Sequence, residues 1–377
     1  MLKIALKKYT TIFRAIFVGI LFSFSCLSSN CLGYPYSWKN LADFGPIPQF
    51  NLFLTGDFVY HNSDVEGRVA VGGNVTLKSF SLGLKAPKTS YTLIAGGNVN
   101  LGGPGPADGG QINNGGLWAG GNVNLQRVGL PSGNILAKGN INLQELTIEN
   151  GGIITEGNVT LQNVAVRKDV IAGGSITIKD SSIHGQQIEN SSISITPPLD
   201  FSKIDLLALS ENLINNNGIV AKPDNGEITI FTDNCTDDVC FINLSSVDFE
   251  SAWGLSIEGS KKPIIINIFP EDNDTSISIN EMSFKIKGDV SSLDILYNFY
   301  NFSDIELHHI GLIGSILAPQ ATVTFYEGVM YGTLIAHNLT CGNHERGGQI
   351  NIPVPEISSI LALLFALPFI LKQTKHI

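Results

Sequence analysis

The sequence predicts a mainly β fold: a β-solenoid (β-helix) interrupted by a long helix and a small β insertion, with later coils rejoining the stack. Three observations predict it. A short phrase recurs six times, glycine crowds the stretch where it recurs, and charge is sparse. The phrase reads AVGGNVTL at 70–77, AGGNVNL at 95–101 and again at 119–125, AKGNINL at 137–143, TEGNVTL at 155–161 and AGGSITI at 172–178. Its marker residues Asn74, Asn98, Asn122, Asn140, Asn158 and Ser175 advance by 24, 24, 18, 18 and 17 residues, a step that suits one coil of short strands and turns. Of 40 glycines, 27 fall between Gly33 and Gly185, so glycine follows the recurring phrase and not a collagen-like period of three.

In the Val-x-Leu part of the phrase two apolar residues flank a polar one. A strand then turns Val and Leu inward and the middle residue outward. The preceding Gly-Asn adopts left-handed backbone angles cheaply and reads as the corner between flat faces. One coil alone exposes its apolar side, whereas stacked coils bury a continuous column of Val, Leu and Ile. Antiparallel hairpins with Gly-Asn turns use the same residues; six near-copies of one phrase favour the solenoid, with its coils over 57–195. The outward residues are Thr76, Asn100, Asn124, Asn142, Thr160 and Thr177, joined later by Thr324 and Thr340. In register they form a flat, uncharged hydrogen-bonding row with rungs ~4.8 Å apart.

Pro197 and Pro198 end the array. A stripe of Ile204, Leu207, Ala208 and Leu213 or Ile214 predicts a helix over 200–215, opened by Asp200 or Ser202 as N-cap. Strand-like pieces over 226–300 read as the β insertion, and coils return over 310–350, where Ala318 and Ala336 repeat the step of 18. The whole domain is 34–352.

Both ends read as addresses. Residues 1–33 have a basic start (Lys3, Lys7, Lys8, Arg14), an apolar stretch and a small-residue cleavage site at Gly33, which is the pattern of a signal peptide; a retained anchor is the alternative. Cys26 and Cys31 lack lipidation flanks and leave with the signal. Residues 353–377 open with Pro355 and Glu356, run through an apolar segment over 357–371 and finish on Lys372, Lys375 and His376. This resembles a PEP-CTERM sorting signal; a plain membrane anchor is the alternative reading. Export and sorting machinery at the two termini, and a membrane reached through the C-terminal segment, follow from these readings. The protein is expected outside the inner membrane, at the cell envelope, cell surface or extracellular matrix.

Composition limits the partners. At 43% hydrophobic residues the chain buries a core and is not a disordered polyelectrolyte, and its net charge of −10 argues against nucleic acid. The stretch Ser63, Asp64, Val65, Glu66, Gly67 and Arg68, the helix after Pro198, and the segments 314–319 and 332–336 resemble the choice-of-anchor A family. That family comprises exported bacterial surface proteins that share one domain and differ in their anchors. The resemblance covers about 40–352 and implies adhesion or structure without catalysis. A weaker likeness links a broken solenoid with a helix to bacterial ice-binding proteins.

Chemistry is sparse in the pattern. No Gly-Lys-Ser/Thr follows the glycine pairs, and 102–108 offers a single loose calcium-loop copy. His337, Cys341 and His344, with His308 and His309 upstream, have spacings that do not converge on strands, so no metal and no cofactor are expected. Asp64, Glu66 and Arg68 make the one dense charged patch of the motif, suited to a binding role or to holding the first coil together. Cys235 and Cys240 enclose four residues and pair as a disulfide in an exported protein, with Cys341 the other candidate partner. The expected function is non-catalytic adhesion or structure through the Asn/Thr face, with a glycan or fibrous matrix protein as ligand. A carbohydrate-active β-helix enzyme, marked by an acidic groove, and an ice-binding-like module, marked by a regular Thr face, are the alternatives.

Overall fold

A computed structural model describes residues 38–40 and 44–352, except 216 and 273. The signal segment and the sorting segment, with Pro355 and Glu356, lie outside the described residues. Each coil has three faces, and its strands pair in parallel with the coils above and below. In one coil Val69–Val71 forms the first face, and Val75–Leu82 forms the second and third, bent in its middle at Ser79 (φ 49°). Val75 and Leu77 point inward and are buried, and Thr76 between them points outward.

The corners work differently from the expectation. Left-handed angles occur at the bend between the second and third faces, at Asn62, Ser79, Arg127, Glu145, Asn163 and Asp180, and not at Gly-Asn. The glycines of the phrase serve close approach. A Cβ on Gly96 would stand 2.2 Å from the carbonyl oxygen of Gly72 one coil below, and one on Gly120 would stand 2.1 Å from that of Gly96. The asparagines act as rungs. The Oδ1 of Asn74, Asn98, Asn122, Asn140 and Asn158 accepts the backbone N–H of Asn98, Asn122, Asn140, Asn158 and Ser175 respectively, at 2.7–3.0 Å.

The first described strand, Leu52–Leu54, lies in the middle of the stack. Along the first face the hydrogen-bonded order is 219–220, 240–245, 264–269, 295–299, the start of 315–326, the start of 334–340, then 52–54, 69–71, 91–95, 116–119, 135–137, 153–155, 170–172 and 187–188. Coils after Leu52 build outward in one direction. The chain then crosses back, and the strands from 219 onward build from the opposite end until 334–340 closes against 52–54. The segment expected as a β insertion is therefore made of coils of the same stack. Its strands keep the parallel register of the stack but lack the Gly-Asn phrase, and in Ile264–Phe269 and Ile295–Phe299 successive residues are buried, so the burial alternation is lost there.

The outward side of the first face is covered over most of the stack, and is exposed at its two ends, at Val220 and Ile188. The helix α1 (Leu206–Asn212) and the side chains of Trp38, Phe44, Ile47 and Phe50 cover it, with Leu206, Leu209 and Leu213 in the same cluster as Phe53, Ile94, Trp118, Leu296 and Leu317. This makes a second core layer beside the solenoid interior. Helix α1 has seven residues, shorter than the 200–215 expected. Two aspartates divide the segment: Asp200 caps a 3-10 turn over Phe201–Lys203, and Asp205 starts the helix by accepting the N–H of Ala208. The outgoing carbonyls are met by a stacked amide row, in which Asn298, Asn267 and Asn243 donate to the carbonyls of Ser210, Leu213 and Asn215 at 2.9–3.2 Å. No helix among the described residues is long and apolar enough to cross a membrane.

Candidate ligand face

The second face carries the outward residues read from the phrase, and strand register joins them coil by coil. Thr177, Thr160, Asn142, Asn124, Asn100 and Thr76 follow one another, then Val59, Thr340, Thr324, Glu306 and Ser278. The result is one straight row across the seam where the two arms of the chain meet. Asn124 donates to Asn100 Oδ1 at 2.8 Å, so the amides orient one another. A short helix, α2 (Ser246–Ser251), ends this face below, where Glu250 Oε1 accepts the N–H of Ser278.

Charge divides the two arms of the chain. Over 57–195 ten Asp and Glu meet nine Lys and Arg, whereas over 219–327 seventeen meet five. At the lower end Glu250, Asp274, Asp304 and Glu306 line an acidic groove. Each carboxylate there has a partner within the protein: Glu306 accepts from Tyr326 at 3.0 Å, Asp274 from Ser276 at 2.6 Å, Asp304 from Ser303 at 2.7 Å, and Glu250 from Ser278. The Ser276 hydroxyl and backbone hold Asp274 below the usual carboxylate range, which suits neither a general acid nor a proton shuttle.

The dense charged motif is a seam clasp. Ser63 Oγ donates to the Gly348 carbonyl at 2.7 Å, and Val65 pairs with Ile350. Glu66 is almost fully buried; it binds Lys85 Nζ at 2.6 Å and accepts the N–H of Ile352. Burial, then the neighbouring Glu66, raises the Asp64 carboxyl above its ordinary value. Gly67 passes so close to Asn51 that a Cβ would stand 2.6 Å from Asn51 Cβ, and its N–H is accepted by Asn51 Oδ1. Arg68 donates to the Tyr91 carbonyl and lies over the Phe50 ring. These contacts tie the first coil to the far end of the chain, so the patch is built into structure.

His308, His309 and His344 gather around the Tyr326 ring, and they do not converge as ligands. His344 stacks on one side of Tyr326 with centroids 3.3 Å apart, and His308 stacks on Tyr326 at 5.0 Å. His309 pairs with Glu327, His337 with Thr55, and the buried Cys341 with His61 at 3.1 Å. Among the described residues no group of three His, Cys, Asp or Glu is placed to hold a metal ion. Burial pushes the Cys341 thiol up and the Tyr326 hydroxyl, which also donates to Glu306, up to about 12. Cys235 and Cys240 are joined as a disulfide with Cα atoms 5.3 Å apart, and Cys341 is free.

Sequence reasoning missed a second outward row. Gln126, Gln144 and Gln162 stand in register two residues beyond Asn124, Asn142 and Thr160. The signal was present, since the phrase continues as Leu-Gln in three successive coils.

The model of the ice-binding-like adhesive domain family matches residues 43–136 and 113–351. No match is found among curated proteins. Among solved structures there is a likeness to an ice binding protein from an Antarctic bacterium of the Flavobacteriaceae, 10% identical, covering 82% of this chain and 98% of that one with a TM-score of 0.20, an overlap too low to bear on function. The family match spans most of the chain, and the chain belongs to the ice-binding-like adhesive domain family.

Proposed function

We propose that the protein is an exported, non-catalytic adhesin of the cell surface or extracellular matrix, which attaches through the second face of its solenoid. The observation that carries this reading is the unbroken row from Thr76 to Thr177, a flat line of neutral donors and acceptors in strand register. A surface of this kind meets a repetitive partner with many weak hydrogen bonds, and adhesive membership of the family points the same way. The motif over 63–68 and the two terminal segments fit an anchored member of the choice-of-anchor A type, delivered through a signal peptide and a C-terminal sorting or anchor segment.

A second reading is ice binding, favoured by the threonines at Thr76, Thr160, Thr177, Thr324 and Thr340. The asparagines between them and the change from neutral to acidic along the face favour adhesion. The acidic groove supports an enzyme less well, because its carboxylates are committed to protein partners. Probing an array of glycans and matrix proteins with the purified protein, beside a thermal-hysteresis measurement, separates these readings. Saturable attachment without hysteresis supports adhesion, and hysteresis without attachment overturns it.

A further inference from the structure

The row of Asn and Thr has a parallel neighbour on the same face: Gly102, Gln126, Gln144, Gln162 and Lys179, paired coil to coil. A shallow trough runs between the two rows. Asn100, Asn124 and Asn142 form one wall, Gly102, Gln126 and Gln144 the other, with Leu101 and Leu125 between them. Gln126, Gln144 and Gln162 are half-buried, and among the described residues none of their amides has a hydrogen-bond partner. Each therefore offers two N–H donors and one carbonyl acceptor to whatever lies in the trough.

The chemistry of the occupant follows. Free carboxamides at three successive coils suit a polymer whose groups both donate and accept, as hydroxyls do, and offer nothing to a long apolar side chain. Charge narrows the class. From Thr76 to Thr177 these rows carry no carboxylate and a single cation, Lys179 at one end, and further along the face Glu250, Asp274, Asp304 and Glu306 repel a polyanion.

We infer that this trough binds a single chain of an uncharged polysaccharide laid along the stack axis, with Gln126, Gln144 and Gln162 hydrogen-bonding its hydroxyls. The inference rests on the reading of this face as the attaching surface, and adds the ligand class and the residues that select it.

The test is retention of the purified full chain on cellulose, on chitin, on the anionic polysaccharide alginate, on collagen and on ice. The native protein is expected on cellulose or chitin and not on alginate. The triple change Gln126→Ala, Gln144→Ala and Gln162→Ala, which leaves the Asn/Thr row intact, is expected to lower that retention about tenfold or more, from three lost hydrogen bonds. The single changes Gln144→Ala and Gln162→Ala carry the test if the triple variant unfolds early in urea. Retention on alginate equal to that on cellulose and chitin, or variants retained like the native protein, overturns the inference. Binding to collagen or ice alone overturns it and spares an attaching face; binding to none of the five overturns both.

Discussion

Asn122 donates its backbone N–H to Oδ1 of Asn98, its counterpart one coil away, at 2.8 Å, and its own Oδ1 accepts from Asn140 at 2.7 Å. Both halves of each residue are thus used, one toward each neighbouring coil. The row extends across the seam, since Asp57 takes its N–H to Asn338 Oδ1 and accepts that of Asn74. A side-chain row of this kind holds coil register where the glycine corners lack side chains of their own.

Cutting one rung has a modest cost. Asn122→Ala leaves a single donor, the Asn140 N–H, unpaired at an exposed corner that water reaches, so a loss of about 1 kcal/mol is expected. Gly96→Ala brings a methyl group to within 2.2 Å of a backbone oxygen that cannot turn aside, and about 2–3 kcal/mol is expected. Urea denaturation of both variants measures the order, and a costlier Asn122→Ala would contradict the close-approach role of the glycine.

The seam is expected to be the sensitive joint. Asn51 is buried; its amide donates to the carbonyls of Gly332 and Asn351 and accepts from Gly67, which joins the first coil to the last. Asn51→Ala strands two buried groups and the half-buried Asn351 carbonyl and should cost about 3 kcal/mol. Limited proteolysis should then cut the returning coils before those of 116–172, and uniform cutting would contradict the seam.

Asp294 gives a pH signature. It is fully buried, its Oδ1 has no partner, and burial pushes its carboxyl up to about 6. The folded-state value lies above the unfolded one, so the favourable, protonated contribution is present below ~4 and is lost as pH rises through about 6. Asp294→Asn keeps the acceptor for the Ser291 N–H and removes the charge. It should stabilise the protein by about 1–2 kcal/mol at pH 8 and by nothing measurable at pH 4, as read by melting at both values. Equal effects at the two values would contradict this assignment.

The disulfide closes a short loop, so little chain entropy is at stake. Replacing Cys235 and Cys240 by serine should cost about 2 kcal/mol and leave attachment unchanged. Calorimetry with and without reductant measures it, and loss of the fold on reduction would contradict that modest role.

Legibility followed burial alternation and repetition. Val-x-Leu showed the strands over 75–178 because Val, Leu and Ile alternate with polar residues there. The lower coils were read as an insertion because Ile264, Ile265 and Ile266 are all buried, two faces of that strand being covered, which erases the alternation. The bend at Glu145 and Arg127 was hidden because these residues give no sign of a left-handed backbone. The seam joins residues about 280 positions apart, such as Asp57 and Asn338, and no local pattern records such a contact.

The central claim is that the neutral second face attaches the protein to its partner. Asn124→Lys with Asn142→Lys places two charges on that row, outside the core and away from the corner rungs, and attachment of this double variant to whichever surface retains the native chain is the direct measurement. Loss of attachment with an unchanged urea midpoint is the predicted result. Attachment equal to that of the native protein on every surface would contradict the claim.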